Sequence, residues 1–239
     1  MSDNASIEQE MTPEVRRGVV RWLRREVIGV LFVIAILFIS AGRLDWAMGW
    51  ALVGIYAVWV GANALILIPK SPELLAERAQ RKKGKDWDAV LMSIVGIVTL
   101  CKYIVAGLDV RYGWTTQIPL WLQIVTLVIA ALGYALGTWA MVANAFFSMM
   151  VRIQEDRGHA VVTGGPYQFV RHPGYIGTIA FELATPIMLG SLWALIAGVL
   201  AALLFVVRTA LEDRTLHKEL EGYAEYAQQT RYRLLPGVW

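Results

Sequence analysis

Trp46–Ile68 reads WAMGWALVGIYAVWVGANALILI, an apolar run of 23 residues. As a helix rising about 1.5 Å per residue, it covers the roughly 30 Å of hydrocarbon in a bilayer. Val27–Ala41, Ala89–Leu108 and Pro119–Ala143 are further runs of the same kind. Of the 239 residues, 57% are hydrophobic and 17% charged, with mean hydropathy +0.51, against about 45–50% and 25% in soluble domains. The pattern predicts an all-α integral membrane protein: four long transmembrane helices, a C-terminal two-helix hairpin and a cytoplasmic helical tail.

The charges orient these spans. Arg16–Glu26 holds Arg16, Arg17, Arg21, Arg24 and Arg25 among apolar residues, which reads as a basic helix on the membrane surface or as a topogenic signal. Lys70–Asp88 is the next basic segment, and the turn between them has only Arg43 and Asp45. By the positive-inside rule, both termini and the segments 70–88 and 144–172 face the cytoplasm, giving a multi-pass protein of the plasma or inner membrane. The net charge of +3 sits beside the spans, which argues for orientation in a membrane and against nucleic acid as a partner. The polar start and the series of spans leave no cleavable signal peptide in view. The single cysteine, Cys101, excludes an intrachain disulfide. No repeat suggests a secondary transporter. Pro173–Val207 is too long for one crossing, and Pro186 and Gly190 interrupt it, so it reads as a hairpin. The expected divisions are a tail with its basic helix over 1–26, four spans over 27–147, and a region 148–239 that contains the hairpin 173–207 and a C-terminal helix.

Two polar segments flank the hairpin. Gly164-Gly165-Pro166-Tyr167 leads to Arg171-His172-Pro173-Gly174-Tyr175-Ile176-Gly177. Gly-Gly-Pro is turn chemistry, and Pro173 suits a first helical position, with His172 near the N-cap of a helix end that would welcome an anion. Gly174 and Gly177 lie three apart, where a ligand or another helix could approach the backbone. The second segment runs from Arg208 through Glu212 and Asp213 to Gly222-Tyr223-Ala224-Glu225-Tyr226 and on to Arg231 and Pro236. On one unbroken helix, Glu212 and Tyr223 would share a face. Acids beside aromatic rings suit a ribose and a sulfonium, or simply a solvated amphipathic helix. His159, His172 and His217 match no zinc spacing, so no metal is expected. Lys102 and Glu182 are ionisable residues inside apolar runs. Lys102 is expected to snorkel, and Glu182 to touch a polar substrate or pair with a neighbour such as Asn63.

The block Gly165–Gly177, the apolar hairpin, Arg208–Asp213 and Gly222–Pro236, in this order, resemble the isoprenylcysteine carboxyl methyltransferase family and its phospholipid and thiol methyltransferase relatives. The resemblance implies S-adenosylmethionine as methyl donor and a lipophilic small-molecule or lipid acceptor entering from the bilayer. Residues 148–239 would then be the methyltransferase-like cofactor-binding region. It implies that His172, Tyr175, Glu212 and Tyr223, with Asp213 and Tyr226, line the cofactor site, and that Gly165, Tyr167 and Gly177 shape it. Arg171 and Arg231 would face the acceptor, forming the catalytic set with His172, and Glu182 is a further acceptor candidate. A carboxylate acceptor needs no base, whereas a thiol or amine would need His172 or Glu212. Asp213 stands where several relatives have a second Glu, and the additional N-terminal helices of the eukaryotic enzymes are absent. Other classes compatible with the sequence are an NADPH-dependent sterol-type reductase and a non-enzymatic membrane protein.

Overall fold

A computed structural model describes residues 11–80 and 83–239. The first ten residues of the expected tail, and Arg81 and Lys82 of the basic loop, lie outside the described residues. Among the described residues the secondary structure is entirely helical: α1 (Pro13–Ala41), α2 (Ala47–Lys70), α3 (Pro72–Arg78), α4 (Asp86–Tyr112), α5 (Leu120–Ala143), α6 (Pro173–Met188), α7 (Leu192–Glu219) and α8 (Tyr223–Gln229), with single 3₁₀ turns at Glu155–Arg157 and Gly165–Gln168. Four of them, α2, α4, α5 and α7, are long and apolar enough to cross a membrane. The protein is a multi-pass membrane protein.

Helix α1 joins the basic segment and the first apolar run without a break. Thr12 caps it by accepting from the Val15 N–H, Pro13 takes the first turn, and Gly42 ends it at φ +65° with its N–H donated to the Phe38 carbonyl. Nothing in Arg24-Arg25-Glu26 breaks a helix, so no boundary falls at residue 26. The basic half is instead packed on α3: Gly18 faces the methyl of Ala76 at a distance no larger residue allows, and Trp22 is buried against Leu74 and Leu75.

The hairpin is present but unequal. Helix α6 has 16 residues, about 24 Å of helix, and α7 has 28, about 42 Å. Gly190, at φ +83°, makes the turn, and the Ser191 hydroxyl caps α7 by accepting from the Ala194 N–H. Because α7 runs on to Glu219, Arg208, Glu212 and Asp213 lie on the hairpin helix itself. Gly222, at φ +79°, then breaks the chain. Tyr223 therefore belongs to a separate short helix, and the single face expected for Glu212 and Tyr223 does not form.

Helices α5 and α6 make the closest approach, with Gly133 and Gly177 backbone against backbone and Tyr134 edge-on to Phe181. Midway along α4, Lys102 is 0% exposed. Its ammonium donates to Glu182 of α6 at 2.5 Å and lies over the rings of Tyr103 and Phe181. Lys102 does not snorkel: too far from either end of α4 to reach water, it meets a carboxylate on the adjacent helix. At one end of the bundle, Asp109 accepts from Thr115 and Ser191, holding the turns after α4 and α6 together. The polar segments gather at the other end.

Candidate functional site at the polar end of the bundle

The last turns of α7, the start of α6 and the C-terminal tail converge on Asp213, which is 1% exposed. The tail lies along the segment before α6, with the Arg171 N–H donated to the Tyr232 carbonyl and the His172 N–H to that of Arg233. Asp213 Oδ1 accepts from Arg171 Nε at 2.8 Å and from the Tyr223 hydroxyl at 2.9 Å, and His172 Nε2 lies 3.2 Å away. Oδ2 accepts from Arg171 Nη2 at 3.1 Å and Arg233 Nε at 2.7 Å. Two guanidinium groups, an imidazole and a phenol thus surround one carboxylate, which joins α6, α7, α8 and the tail. Arg171 Nη1 donates to the carbonyls of Thr230 and Arg231.

This geometry bears on two expectations. Arg171 lines the cavity, with its fork on Asp213 and its Nη1 on the tail. Arg231 lends only its carbonyl; its side chain is exposed, and Arg233 is the tail arginine that reaches inward. Neighbouring positions two apart on an extended tail give no sequence signal for choosing between them. A second buried pair went unforeseen in the sequence. Arg208 donates to both oxygens of Asp88, at 2.7 and 3.1 Å, and to the Met149 carbonyl, while Asp88 also accepts from the Val151 N–H. Across 120 residues, it ties the start of α4 and the segment after α5 to α7.

In front of these ion pairs lies a cavity of about 320 Å³, within the range of small-molecule sites. Tyr167, Arg171, His172, Tyr175, Glu212, Tyr223 and Tyr226 all line it, with Asp213 hydrogen-bonded behind Arg171 and Tyr223. The Tyr175 hydroxyl donates to Glu212 Oε2, its ring stacks on His172, and the Arg208 guanidinium sits over its other side at 5.4 Å. The Tyr226 hydroxyl donates to the Tyr167 carbonyl, and the Tyr167 hydroxyl accepts from Asn144. Burial raises the pKa of Tyr226 to about 12 and holds Tyr167 and Tyr223 above the usual phenol range, so all three remain protonated donors. Burial, with Arg152 and Arg157 nearby, keeps His159 on the cavity rim below the usual imidazole range.

Three other expected residues are elsewhere. Gly177 packs on Gly133 of α5, the helix-packing alternative for that glycine. Gly165, at φ +61°, turns the chain against Ala143 and Trp139 without lining the cavity. Glu182 is committed to Lys102 and is not on the cavity wall. Phe146, Phe147, Met149 and Met150 add apolar surface to the cavity lining.

Membrane-spanning helices that converge on a cavity lined by polar and aromatic residues define a multi-pass membrane protein with a cavity of small-molecule size at the bundle's end. Residues 124–218 match the sequence model of the isoprenylcysteine carboxyl methyltransferase (ICMT) family. Among its relatives, a probable protein-S-isoprenylcysteine O-methyltransferase of Oryza sativa subsp. indica is 25% identical over 175 residues, 72% of this chain and 92% of the rice protein. The protein-S-isoprenylcysteine O-methyltransferase of Xenopus laevis is 29% identical over 112 residues, 46% of this chain and 39% of that protein. The human protein of the same name is 32% identical over 117 residues, with 46% and 39% covered. The chain thus matches well under half the length of the frog and human relatives. A solved eukaryotic intramembrane Ras methyltransferase ICMT superposes at TM-score 0.48 and 18% identity over 91% of this chain and 95% of that one.

Proposed function

We propose that this protein is an S-adenosylmethionine-dependent membrane methyltransferase that esterifies a carboxylate on a lipophilic acceptor. The chemical type named by its relatives is an S-prenylated cysteine. The observation that carries the reading is the mixed lining of the cavity, where tyrosines, His172 and Glu212 meet Phe146, Phe147, Met149 and Met150. The polar lining residues suit the donor. Glu212 Oε2 takes the Tyr175 hydroxyl, whereas Oε1 takes no hydrogen bond from the described residues, leaving an acceptor for ribose hydroxyls or an ammonium. The surrounding rings offer faces to a cation.

A sulfonium donor brings a methyl group that is already activated, so the protein's tasks are alignment and exclusion of water. Glu212 and Tyr175 form the polar grip. Asp213, through Arg171, Arg233 and Tyr223, fixes the tail and α8 over the cavity. The apolar lining residues receive the acceptor's tail. A carboxylate nucleophile attacks without proton transfer; a thiol or amine would call on His172 or Glu212. The cavity and both termini face the cytoplasm of a plasma or inner membrane, a reading supported by the arginines of α1 at the same end.

The test is binding of S-adenosylmethionine and its demethylated product to the purified protein, with NADPH as comparator and His172→Ala as control. Micromolar affinity for the first two, lost in the variant, is expected. Binding of NADPH alone would replace the proposal with a reductase, and binding of none of them with a non-enzymatic role.

A further inference from the structure

Arg78 closes α3 on the wall of the same cavity, 8% exposed. Among the described residues it makes no ion pair. Its Nη1 donates to the Phe147 carbonyl at 3.2 Å, and its Nε is buried without any acceptor. The other arginines of this wall have carboxylates: Arg171 has Asp213, Arg208 has Asp88, and Arg152 has Glu77. Of the charges around Arg78, Glu26 favours its charged form, but no carboxylate of the described residues pairs with it. Arg25 donates to the Arg78 carbonyl and is matched by Glu26, and Arg208 is matched by Asp88. Burial, with Arg25 and Arg208 nearby, lowers its pKa to about 10, which leaves it charged at neutral pH.

A buried cation without a counterion is costly, and one kept beside a cavity leaves the counterion to be supplied by a ligand. The position is apt. The Arg78 guanidinium carbon lies 5.4 Å from the centre of the Phe147 ring. The edge of that ring fills the space where Gly174, in the first turn of α6, has no side chain. One aromatic ring therefore separates Arg78 from the turn that holds His172 and Tyr175.

We propose that Arg78 receives the carboxylate of the lipophilic acceptor, with the apolar tail along Phe146, Met149 and Met150, and so determines acceptor specificity. The identity of the acceptor rests on the methyl-transfer reading; the demand of Arg78 for an anion does not. Its free Nε, beside the Nη groups, allows the two-point grip that a planar guanidinium gives a carboxylate.

The experiment measures binding of N-acetyl-S-farnesylcysteine and of its uncharged carboxamide to the full-length protein in detergent. Wild type is expected to prefer the acid by about tenfold or more, a charge-assisted bond's contribution. Arg78→Gln is expected to bring the ratio close to one, with amide affinity and binding of S-adenosylhomocysteine unchanged. An acid-to-amide ratio left intact by Arg78→Gln, or a wild-type ratio near one, overturns the proposal. Should the glutamine variant fail to fold, Arg78→Lys is read instead. Its ratio should fall at least about threefold, because an ammonium cannot hold both oxygens in the fork geometry, and a wild-type ratio there also overturns it. Loss of the methyl-transfer reading would show as wild-type protein that ignores S-adenosylhomocysteine, whatever the acid-to-amide ratio.

Discussion

Asp213 and Glu212 are adjacent on α7, yet their carboxylates meet opposite surroundings. Asp213 is enclosed by Arg171, Arg233, His172 and Tyr223, whereas Glu212 faces the cavity with one oxygen free of protein donors. The two should therefore fail differently. Asp213→Asn leaves a buried charge cluster short of its anion and should lower stability by about 3–5 kcal/mol, read as a large fall in unfolding temperature in detergent. Glu212→Ala should leave that temperature within a few degrees and weaken S-adenosylmethionine binding by about tenfold, or about 1.4 kcal/mol. Equal thermal losses in both variants would show that Glu212 is structural. In the sequence, both residues were visible as an acidic pair, but nothing in their order said which one turned inward.

Among the elements, α6 is held from two sides by different forces. Against α5 the contact is backbone on backbone at Gly133 and Gly177, and a methyl on Gly177 would overlap the Gly133 carbonyl. Gly177→Ala should cost about 1–3 kcal/mol as the helices part. Gly137→Ala, which meets nothing within 4 Å, should stay within about 0.5 kcal/mol of wild type; equal costs would mean that the close approach does not govern stability. Against α4 the contact is the Lys102–Glu182 pair. Lys102→Met strands a carboxylate in an apolar bundle and should cost about 3–5 kcal/mol, while Lys102→Met with Glu182→Leu should recover most of it. A double variant as unstable as the single would assign the loss to packing instead. The lengths of α6 and α7 follow from Gly190 and Ser191, but the continuation of α7 to Glu219 is set by packing against Asp88 and the tail, through charges that a hydropathy scan treats as an end.

At the scale of the molecule, the two ends of the bundle have different chemistry. Arg16 at the start of α1, the 155–158 turn and the C-terminal tail belong to the end that holds the cavity, and the turns after α1 and α4 to the other. Cys101 is the only cysteine, so a Cys101→Ser background permits labelling at one site at a time. A membrane-impermeant maleimide should label Arg16→Cys, Glu155→Cys and Val238→Cys from the cytoplasmic face, and Leu44→Cys and Gln117→Cys from the opposite face. Labelling of both sets from one face would refute this topology.

Much of this architecture was legible without coordinates. Helical spans announce themselves because apolar length is a local property: Trp46–Ile68 is as hydrophobic in isolation as in the fold. The hairpin followed from Pro186 and Gly190, and the polar blocks at Arg171–Tyr175 and Glu212–Tyr226 stood out against so apolar a chain. Partnership is different. Arg171 meets Asp213 across 42 residues, Lys102 meets Glu182 across 80 and Arg208 meets Asp88 across 120. In a low-dielectric interior, each such charge is tolerated only with its partner, and which residues become partners depends on the rotation and register of packed helices. Only the tertiary structure could turn Arg233 inward and Arg231 out, bury Lys102 against Glu182, and leave Arg78 on the cavity lining without an ion pair among the described residues.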